Sequence, residues 1–474
     1  MFIALETLGL IREVGSAPVH SNTWTEDVNA RARLLQAETS EGAPIVIVQA
    51  ASRHFFIDLF SVWSSGRTAI CLDPSLTEPE IENIVRFSRA ETVLGKPGSD
   101  SPDAGMLVQK TAPQPRRVAA GHSMLDEPAL VLFTSGTTGD PKGVVHTFRS
   151  LFSRTSINIL AAGLTRTDVA LLTLPVHFGH GLIGNALSPL FAGAELIVGA
   201  SGAQLAARLG TVIDEEKVSF LSSVPALWRM AMKMSPRPRH GTLRRVHVGS
   251  APVSVELMRQ IEAWAGCEVH NCYGITETAN WIGSASSRDP LLCDGFVGRP
   301  WAGSAAVLKD RTAISSPGEG EILIQTPSLM SSYLGRPDLT AASFIDGWYR
   351  TGDWGTVDHL GNIRLSGRIK DEINRAGFKV QPAEIDMLLE QHENVEEACA
   401  FGIPDEIGTE IVGIALKLKH RTASDERSLR EWCLKRIRRE AVPERWFFVD
   451  DIPKTPRGKL KRDQVRAILM GTHG

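Results

Sequence analysis

The stretch FTSGTTGDPKGVVHT, residues Phe133 to Thr147, sets threonine, serine and glycine side by side and then a single lysine beyond a proline. A strand-like run, LVLFT, precedes it and a helix-like run, HTFRSLFSRTSINIL, follows, so we expect a loop between a strand and a helix. Small residues let backbone N–H groups converge on an anion, while the hydroxyls add donors and the lysine adds a positive charge. The stretch therefore predicts a polyphosphate site. Its predicted ligands are Thr134, Ser135, Gly136, Thr137, Thr138, Gly139 and Lys142.

The spacing differs from that of a P-loop. Lys142 follows Pro141 and precedes Gly143, whereas the pattern GxxxxGK[ST] places a glycine before the lysine and a hydroxyl residue after it. A flexible surface turn is the simpler alternative. The number of donors gathered in one loop favours the phosphate site.

Length and composition describe a globular chain with more than one domain. The chain has 474 residues, and because a single hydrophobic core rarely serves more than roughly 250–300 residues, we expect at least two domains. With 22% charged residues and a formal net charge of −3, the chain has no bulk attraction for nucleic acid or membranes, and no nucleic-acid partner is expected. The 6 cysteines are scattered without a CxxC pair, so a zinc site has little support.

No segment predicts secretion or a membrane span. The start, MFIALETLGLIREVG, lacks the basic and apolar regions of a signal peptide, so a cytoplasmic location is expected. An uncharged run over residues 169–194 is long enough to cross a bilayer, but it contains Pro175, Pro189, His177 and His180. We expect this run to form a buried strand, a loop and a helix instead.

The order of the segments predicts an α/β fold. Over residues 43–273, strand-like runs such as APIVIVQA and AELIVGA alternate with amphipathic stretches, which is typical of parallel sheets covered by helices. Shorter, glycine-punctuated strands follow Gly295, and a helix at PAEIDMLLEQ opens a compact α+β unit. The predicted domains are residues 1–369, with helix-covered parallel sheets plus a β-rich subdomain, and the small C-terminal residues 370–474.

TSGTTGDPKG resembles the signature loop of the adenylate-forming superfamily, which includes acyl-CoA synthetases, adenylation domains of peptide synthetases and luciferases. Other motifs resembling that family follow in the expected order: VGSAPV, NCYGITETAN, WYRTGDWG, LSGRIKDEINRAGFKV and PKTPRGKL. Together they cover almost the whole chain and are far more specific than any one of them. The resemblance, greatest to acyl- and aryl-CoA ligases, implies binding of ATP, Mg²⁺ and coenzyme A.

By this resemblance, two motifs surround the nucleotide. In NCYGITETAN, Tyr273 lies against adenine, Thr276 contacts the α-phosphate and Glu277 holds Mg²⁺, a hard cation that suits a carboxylate and phosphates. A plain helix cap is the alternative for Thr276 and Glu277. The loop on the adenine side is assigned to Ser250, Ala251 and Pro252, with serine where relatives usually have glycine. An ordinary strand-to-helix turn is the alternative there.

The resemblance also assigns the ribose site and two catalytic cations. Asp353 in WYRTGDWG would bind the ribose hydroxyls, and Arg368 in LSGRIK would assist at the ribose and phosphate. Lys459 in PKTPRGKL would bridge the attacking carboxylate and the nucleotide, offsetting charge that builds up in the transition state. A solvated basic segment is the alternative for Lys459, because it lies among other basic residues near the end of the chain.

In the family, a mobile C-terminal domain swings about a hinge residue two places after the arginine. That position is Lys370 here, and the swing would bring Gly377 to the pantetheine channel. Lys370 is equally compatible with an exposed lysine at a domain junction.

LPVHFGHGL resembles the segment that closes over the acyl group. Relatives often have histidine at the position of Phe178, whereas here His177 stands one residue earlier, so either ring is a candidate. Amino-acid-activating relatives have an aspartate at the position of Gly179, and no acidic residue occurs over residues 170–194. An apolar or aromatic carboxylic acid is therefore favoured over an α-amino acid. The candidate acid-site residues are His177, Phe178, Gly179, Trp228, Gly274 and Trp281.

The sequence thus predicts an ATP-dependent acid–thiol ligase. It would activate a small carboxylic acid, aliphatic or aryl, as acyl-AMP and transfer the acyl group to coenzyme A. The phosphopantetheine of an acyl carrier protein, or an amine, is the alternative acceptor. A non-catalytic nucleotide-binding regulatory protein is the alternative of another class. The predicted catalytic residues are Lys459, Thr276, Glu277 and Arg368.

Overall fold

Hydrophobic runs in the first half of the chain form parallel strands that are buried on both faces. The computed structural model describes residues 5–16, 21–95, 123–134, 142–199, 202–310, 312–375, 378–405, 410–421, 425–455 and 459–471. In PIVIV and TAICL nearly every residue is buried, as expected for a parallel strand covered on both sides. The predicted α/β class, with a β-rich region and a smaller C-terminal unit, is confirmed.

The strands, in chain order, are β1 Ile11–Glu13, β2 Pro44–Val48, β3 Thr68–Leu72, β4 Thr92–Leu94, β5 Pro128–Thr134, β6 Lys142–Thr147, β7 Val169–Leu171, β8 Glu195–Val198, β9 Phe220–Ser223, β10 Arg245–Gly249, β11 Val269–Ile275, β12 Asn280–Ser286, β13 Phe296–Gly298, β14 Ser304–Lys309, β15 Ala313–Ser315, β16 Gly318–Gln325, β17 Ser332–Tyr333, β18 Phe344–Ile345, β19 Trp348–Val357, β20 Ile363–Arg368, β21 Ile373–Arg375, β22 Phe378–Val380, β23 Val395–Pro404, β24 Glu410–Leu418 and β25 Arg445–Phe448.

The α-helices are α1 Ser21–Glu38, α2 Arg53–Ser64, α3 Glu78–Ser88, α4 Phe148–Ala162, α5 Ser188–Phe191, α6 Gly202–Glu215, α7 Pro225–Met234, α8 Val255–Ala265, α9 Pro337–Ala342, α10 Pro382–Leu389, α11 Asp425–Leu434 and α12 Arg462–Met470. A π-helix spans His180–Leu187. Within the described ranges, none of these helices combines the length and the apolar character needed to cross a membrane.

Three sheets build the larger part of the molecule. Sheet 1 has the strand order β17–β6–β5–β3–β2–β4, and sheet 2 has the order β1–β8–β7–β9–β10–β11–β12. Both are parallel in their centres, with antiparallel strands β6 and β17 in sheet 1 and β12 in sheet 2. Sheet 3, with the order β13–β20–β19–β16–β14–β15, is antiparallel. A separate sheet of β23, β24 and β25 forms the C-terminal unit.

Short-range capping fixes where several helices begin and end. Thr77 and Glu80 form a capping box at the start of α3, where the Thr77 backbone N–H donates to the Glu80 carboxylate at 2.8 Å. Ser254 caps α8, which ends at Gly266 in the left-handed region with φ 74°. The loops that lead into α3 and α8 follow β3 and β10, so they lie at the edge where the carboxyl ends of the parallel strands are.

One hydrophobic core joins sheets 1 and 2. It contains side chains of β2, β3 and β5 from sheet 1, of β8 and β9 from sheet 2, and of the π-helix, together with Phe55, Phe56 and Phe60 of α2. A second core lies on the opposite face of sheet 2, beneath α6, α7 and α8. The two faces of sheet 2 therefore belong to different packing environments, and the π-helix lies on the face that looks towards sheet 1.

Polar contacts join the C-terminal unit to the rest of the chain. The Arg229 guanidinium of α7 lies 2.7 Å from the Glu390 carboxylate just after α10. Lys233 on the same helix pairs with Glu396 of β23, and the Gln391 side-chain amide donates to Asp294 at 2.5 Å. The boundary between residues 369 and 370 remains a prediction. There β20 ends, and the turn Ile369–Asp371 leads to the hairpin of β21 and β22.

Candidate active site

The glycine- and threonine-rich loop connects two antiparallel strands. Thr134 at the end of β5 pairs with Lys142 at the start of β6, and α4 begins only at Phe148. The expected strand-to-helix connection is therefore wrong, because GVVHT continues as a strand whose β-branched residues Val144 and Val145 are buried in sheet 1. The predicted ligands Ser135, Gly136, Thr137, Thr138 and Gly139 lie outside the described residues.

Tyr273, Asp353 and Arg368 come together in a hydrogen-bonded group. The Tyr273 hydroxyl donates to Asp353 Oδ2 at 2.5 Å, and Arg368 Nε lies 2.7 Å from Asp353 Oδ1. Asp353 and Arg368 face each other across β19 and β20, while Tyr273 comes from β11 of sheet 2. Burial and the neighbouring Asp353 carboxylate raise the pKa of Tyr273, and the same carboxylate raises the pKa of Arg368. Two residues from distant motifs, Tyr273 and Arg368, thus hold the Asp353 carboxylate between them.

Glu277 is held beside this group by a pair of tyrosines. The Tyr333 hydroxyl donates to Glu277 Oε1 at 2.7 Å and lies 3.0 Å from the Tyr349 hydroxyl. Burial and the Glu277 carboxylate raise the pKa of Tyr333, so its hydroxyl remains a donor. Glu277 also contributes to the raised pKa of Arg368, which places the two charges near each other. A half-buried carboxylate is therefore oriented at the junction of the sheets.

Two buried basic side chains fix the turn that carries Thr276 and Glu277. His146 Nε2 donates to the Thr276 carbonyl at 2.8 Å, and burial lowers the pKa of His146 to about 4, so the ring is neutral. Arg154 Nε donates to the Thr278 carbonyl at 3.3 Å and also contacts Ser328. Burial lowers the pKa of Arg154 to about 9, which keeps it charged at neutral pH. The turn is thereby tied to β6 and α4.

Lys459 lies at the surface of the C-terminal unit. Its backbone N–H donates to the Thr455 hydroxyl at 3.2 Å, and its carbonyl accepts from the Thr455 N–H at 2.8 Å. Lys370 is exposed in the turn between β20 and β21, and Gly377 lies outside the described residues.

The loop after β10 brings Ser250 to the π-helix. Ser250 has φ 66°, in the left-handed region where glycine is favoured. Its hydroxyl lies 2.7 Å from His180 Nδ1. Ala251 and Pro252 complete the loop before the Ser254 cap of α8. The loop after β10 thus contacts the π-helix, whose preceding segment was expected to close over the acid.

His177, Phe178 and Gly179 immediately precede the π-helix. His177 Nε2 lies 3.3 Å from the Asp73 carboxylate, and its ring packs edge-on against Phe178 with centroids 4.1 Å apart. A Cβ built on Gly179 would meet only Leu132, at an ordinary 3.7 Å, so no close approach requires glycine there.

Sequence reasoning missed His180, the first residue of the π-helix. Its Nδ1 contacts Ser250, and its Nε2 lies 2.6 Å from the Ser222 hydroxyl of β9. Burial lowers the pKa of His180 to about 3, so the ring is neutral and links two hydroxyl groups. The available signal was its position three residues after His177, which puts both rings at a helix start within an uncharged run.

Trp228 and Trp281 occupy opposite faces of sheet 2. Trp228 is fully buried in the core beneath α7 and α8, where it packs on Trp264 with centroids 6.0 Å apart. Trp281 of β12 belongs to the other core and contacts His180 at 5.5 Å between centroids. We therefore leave Trp228 out of the acid site, because a parallel sheet separates it from the π-helix. Gly274 pairs with Trp281 across β11 and β12.

Buried neutral histidines give a prediction for stability. Burial lowers the pKa of His146, His180 and His270 to between about 3 and about 4, and that of His247 well below 6.5. The unfolded chain therefore binds more protons below pH 6.5, and stability falls as the pH drops from about 6.5 to about 4. Asp386, whose pKa burial raises to about 6, acts in the opposite sense over part of this range.

We expect His247→Phe to flatten this pH dependence. Both His247 ring nitrogens are buried without a hydrogen-bond partner, so phenylalanine preserves the ring packing and removes one proton-binding group. The slope of the free energy of unfolding against pH should fall by about 1.4 kcal/mol per pH unit. Urea denaturation followed by tryptophan fluorescence measures this slope. Exposed His54→Gln is the control, and an equal slope in both variants would contradict the assignment.

Two family models match the chain. A model described as AMP-binding enzyme matches residues 23–334, and one described as AMP-binding enzyme C-terminal domain matches residues 384–459. The motifs around Tyr273 and Glu277 lie in the first match. Lys459 is the last residue of the second match.

Similar proteins cover most of the chain. The oxalate–CoA ligase of Arabidopsis thaliana is 30% identical over 441 residues, which span 86% of this chain and 85% of that protein. The fatty acid–[acyl-carrier-protein] ligase ScoC of Streptomyces coeruleorubidus is 31% identical over 473 residues, 92% of this chain and 89% of that protein. The solved O-succinylbenzoate coenzyme A synthetase (MenE) of Bacillus subtilis in complex with AMP has the same fold, with a TM-score of 0.82. It is 23% identical, and the superposition covers 97% of this chain and 95% of that one.

Proposed function

Because this chain belongs to the AMP-binding enzyme family, we propose that it converts a small carboxylic acid into an acyl-adenylate with ATP and then into a thioester with coenzyme A. The observation that supports this most is the group formed by Tyr273, Asp353 and Arg368 beside Glu277. Motifs separated by almost one hundred residues thus bring an aromatic ring, a buried carboxylate, a guanidinium and a second carboxylate close together. That combination suits a nucleoside phosphate.

Each member of this group has a role that its chemistry suits. Asp353 would accept the ribose hydroxyls, held in place by Tyr273 and Arg368, and the Tyr273 ring would lie against the base. Arg368 would also face the phosphates. Lys142, at the start of β6, stands where the predicted phosphate loop rejoins sheet 1.

Glu277 fits the requirement of a magnesium site. Its carboxylate is half-buried and oriented by Tyr333, and it supplies the oxygen ligand that Mg²⁺ takes together with phosphates. Within the described part of the chain, no cluster of three or more carboxylate, imidazole or thiolate groups could hold an ion by itself. A magnesium ion bound here would neutralise phosphate charge. The protein's own contribution is to orient this carboxylate next to Thr276.

The chemistry proceeds by two displacements. A carboxylate oxygen of the acid attacks the α-phosphorus, and the bond from phosphorus to the leaving pyrophosphate breaks. The thiol sulfur of coenzyme A then loses its proton and attacks the acyl carbon, and the bond from that carbon to the AMP oxygen breaks. Thr276 and Lys459 would stabilise the oxygens that carry the developing charge in the first step. Two anions must meet there, so positive charge and positioning are the protein's main tasks.

The acceptor can be tested separately from the acid. One relative, ScoC, is named as a ligase for an acyl-carrier protein, so a carrier-bound phosphopantetheine is a second candidate acceptor. A pyrophosphate-exchange screen over short, long and aromatic acids first identifies the acid. Coenzyme A or a phosphopantetheinylated carrier protein is then added to the preformed adenylate. Faster AMP release with coenzyme A supports the proposal. AMP release only with the carrier protein would identify the carrier, and not coenzyme A, as the acceptor.

The polar contacts of α7 with the C-terminal unit give a further prediction. Arg229 and Lys233 hold Glu390 and Glu396, which stabilises one arrangement of the two parts. Partly exposed pairs contribute about 1 kcal/mol or less each. Replacing Arg229 and Lys233 together by alanine should therefore change the ratio of the two half-reaction rates by about fivefold. The reason is that a second arrangement of the two parts, without these contacts, becomes more populated.

Single-turnover pyrophosphate release and single-turnover acyl transfer measure the two half-reactions. Arg208→Ala, which breaks an exposed ion pair with Glu215, is the matched control and should change neither rate. Equal slowing of both half-reactions in the double variant would show that these contacts do not select an arrangement.

A further inference from the structure

A closed set of hydrogen bonds holds the start of α12, shortly after Lys459 in the chain. Asp386 of α10 accepts from the Ala400 N–H at Oδ1 and from Arg462 Nη2 at Oδ2, both at 2.5 Å. Arg462 Nη1 in turn donates to the Ala400 carbonyl at 2.7 Å. The carboxylate, the guanidinium and the backbone of β23 are therefore fixed to one another.

The ion pair in this set is almost completely buried. Asp386 is only 4% exposed, and the Arg462 side chain is 14% exposed. A planar guanidinium can bind a carboxylate and a carbonyl at the same time, whereas a lysine ammonium is a single point charge. Loss of either partner would leave the other as an unpaired buried charge, which is strongly unfavourable. Arg462 is therefore held firmly against α10 and β23.

The segment that carries Lys459 is also fixed to β23 at its other end. Residues 453–455 and 459–461 run antiparallel and are joined by a bridge and by backbone hydrogen bonds of 2.8 and 3.0 Å. In the first of these stems, Lys454 pairs with Glu397 of β23. The buried arginine directly follows the second stem. Both stems beside Lys459 are thus attached to the same strand.

Arg462 also contacts the turn through which the chain enters the C-terminal unit. Its Nε lies 4.0 Å from Asp371 Oδ2, at the end of the turn Ile369–Asp371. Asp371 directly follows Lys370, the predicted hinge residue. One guanidinium therefore connects this turn with the segment that carries Lys459. A rotation about the turn would move Lys459 along a path that these contacts fix.

The proposed role of Lys459 requires accurate placement of its backbone. A lysine side chain is a flexible four-carbon stem, so the position of its ammonium depends on where the main chain is held. In a reaction that brings two anions together, a misplacement of about 1 Å can cost about 100-fold in rate. The attachment of the stems is therefore expected to affect catalysis as well as folding.

We propose that Arg462, locked by Asp386, positions Lys459 for acyl-adenylate formation. It does so by holding the backbone that follows Lys459 against β23 and against the turn Ile369–Asp371. This inference rests on the proposed function, because it requires Lys459 to act in the first half-reaction.

Two variants loosen this lock and keep most of its shape. Arg462→Lys keeps the charge but cannot bind the carboxylate and the Ala400 carbonyl together, and Asp386→Asn leaves one acceptor for two donors. Each should slow single-turnover pyrophosphate release by about tenfold or more, while acyl transfer from a synthetic acyl-adenylate changes by less than about twofold. The ratio of these rates within one preparation does not depend on the fraction of folded enzyme. Arg427→Lys, which alters an exposed ion pair with Glu431, is the control and should change neither rate.

A double-mutant cycle distinguishes positioning from general damage to the C-terminal unit. Arg462→Lys is combined with Lys459→Ala, and pyrophosphate release in one turnover is measured for each single variant and for the double variant. If Arg462 acts through Lys459, then Arg462→Lys should change the residual rate of Lys459→Ala by less than about twofold. The same factor of loss with and without Lys459 would overturn the inference.

Two further results would overturn this inference and leave the proposed function intact. One is an unchanged rate of pyrophosphate release in both Arg462→Lys and Asp386→Asn, measured where Lys459→Ala is slow. The other is equal slowing of both half-reactions in these variants. Pyrophosphate release at the wild-type rate in Lys459→Ala would instead remove the proposed role of Lys459, and absence of acyl-adenylate with every acid would remove the proposed function; the inference would fall in either case.

Discussion

Lys459→Ala is expected to slow acyl-adenylate formation by about 100- to 1,000-fold while ATP binding persists. The reason is that the attacking carboxylate and the phosphates are all anions, and Lys459 is the cation that we place between them in the transition state. Because Lys459 lies on the surface of the C-terminal unit, its removal should leave the Tyr273–Asp353–Arg368 group undisturbed.

Rapid-quench measurement of pyrophosphate release in one turnover gives the adenylation rate, and calorimetry gives ATP affinity. Lys461→Ala is the matched control, since it removes another exposed lysine of the same basic segment. An equal loss of rate in both variants would assign the effect to general positive charge. The rate of acyl transfer from a synthetic acyl-adenylate should be nearly unchanged in Lys459→Ala. A slower acyl transfer would show that Lys459 acts in the second half-reaction.

Glu277→Gln is expected to slow adenylation by about 100-fold and to raise the Mg²⁺ concentration needed for half-maximal rate. Glutamine keeps the hydrogen bond from Tyr333 and nearly the same shape, but it lacks the negative charge that holds the ion. The measurement is the rate of pyrophosphate exchange over a titration of Mg²⁺.

Tyr333→Phe separates the charge of Glu277 from its orientation. This variant keeps the carboxylate and removes one donor, so its rate should fall by less than about tenfold with little change in the Mg²⁺ requirement. A Glu277→Gln enzyme with the wild-type Mg²⁺ titration would show that the carboxylate does not bind the ion. Equal effects in the two variants would make Glu277 a structural residue.

The family, the fold class and the ligase class could be predicted from the sequence, and these predictions are confirmed. Local sequence patterns were sufficient to predict the alternation of strands and helices. PIVIV forms the predicted strand, and PAEIDMLL forms the predicted helix. The binding of ATP, Mg²⁺ and coenzyme A follows from the family. The roles of individual residues, including Lys459 and Glu277, remain predictions.

The sequence failed where long-range packing decides the outcome. It predicted the helix that begins at Phe148, but it assigned GVVHT to the loop before that helix, whereas pairing with β5 makes this segment the strand β6. It placed Trp228 in the acid site, but the two faces of sheet 2 cannot be distinguished until neighbouring strands are known. His180 was overlooked because its partners Ser222 and Ser250 are more than forty residues away. The contact of Tyr333 and Tyr349 with Glu277 was also missed, because these residues are far apart in the sequence.

The most direct test of adenylate chemistry follows an oxygen atom. The acid identified by the screen is prepared with ¹⁸O in both carboxylate positions, and the enzyme converts it to the thioester with ATP and coenzyme A. AMP carrying one ¹⁸O atom on its phosphate is the predicted product, because the acid's oxygen stays on phosphorus when the thiol displaces AMP. Release of ADP with ¹⁸O in inorganic phosphate, or AMP free of ¹⁸O, would contradict the account.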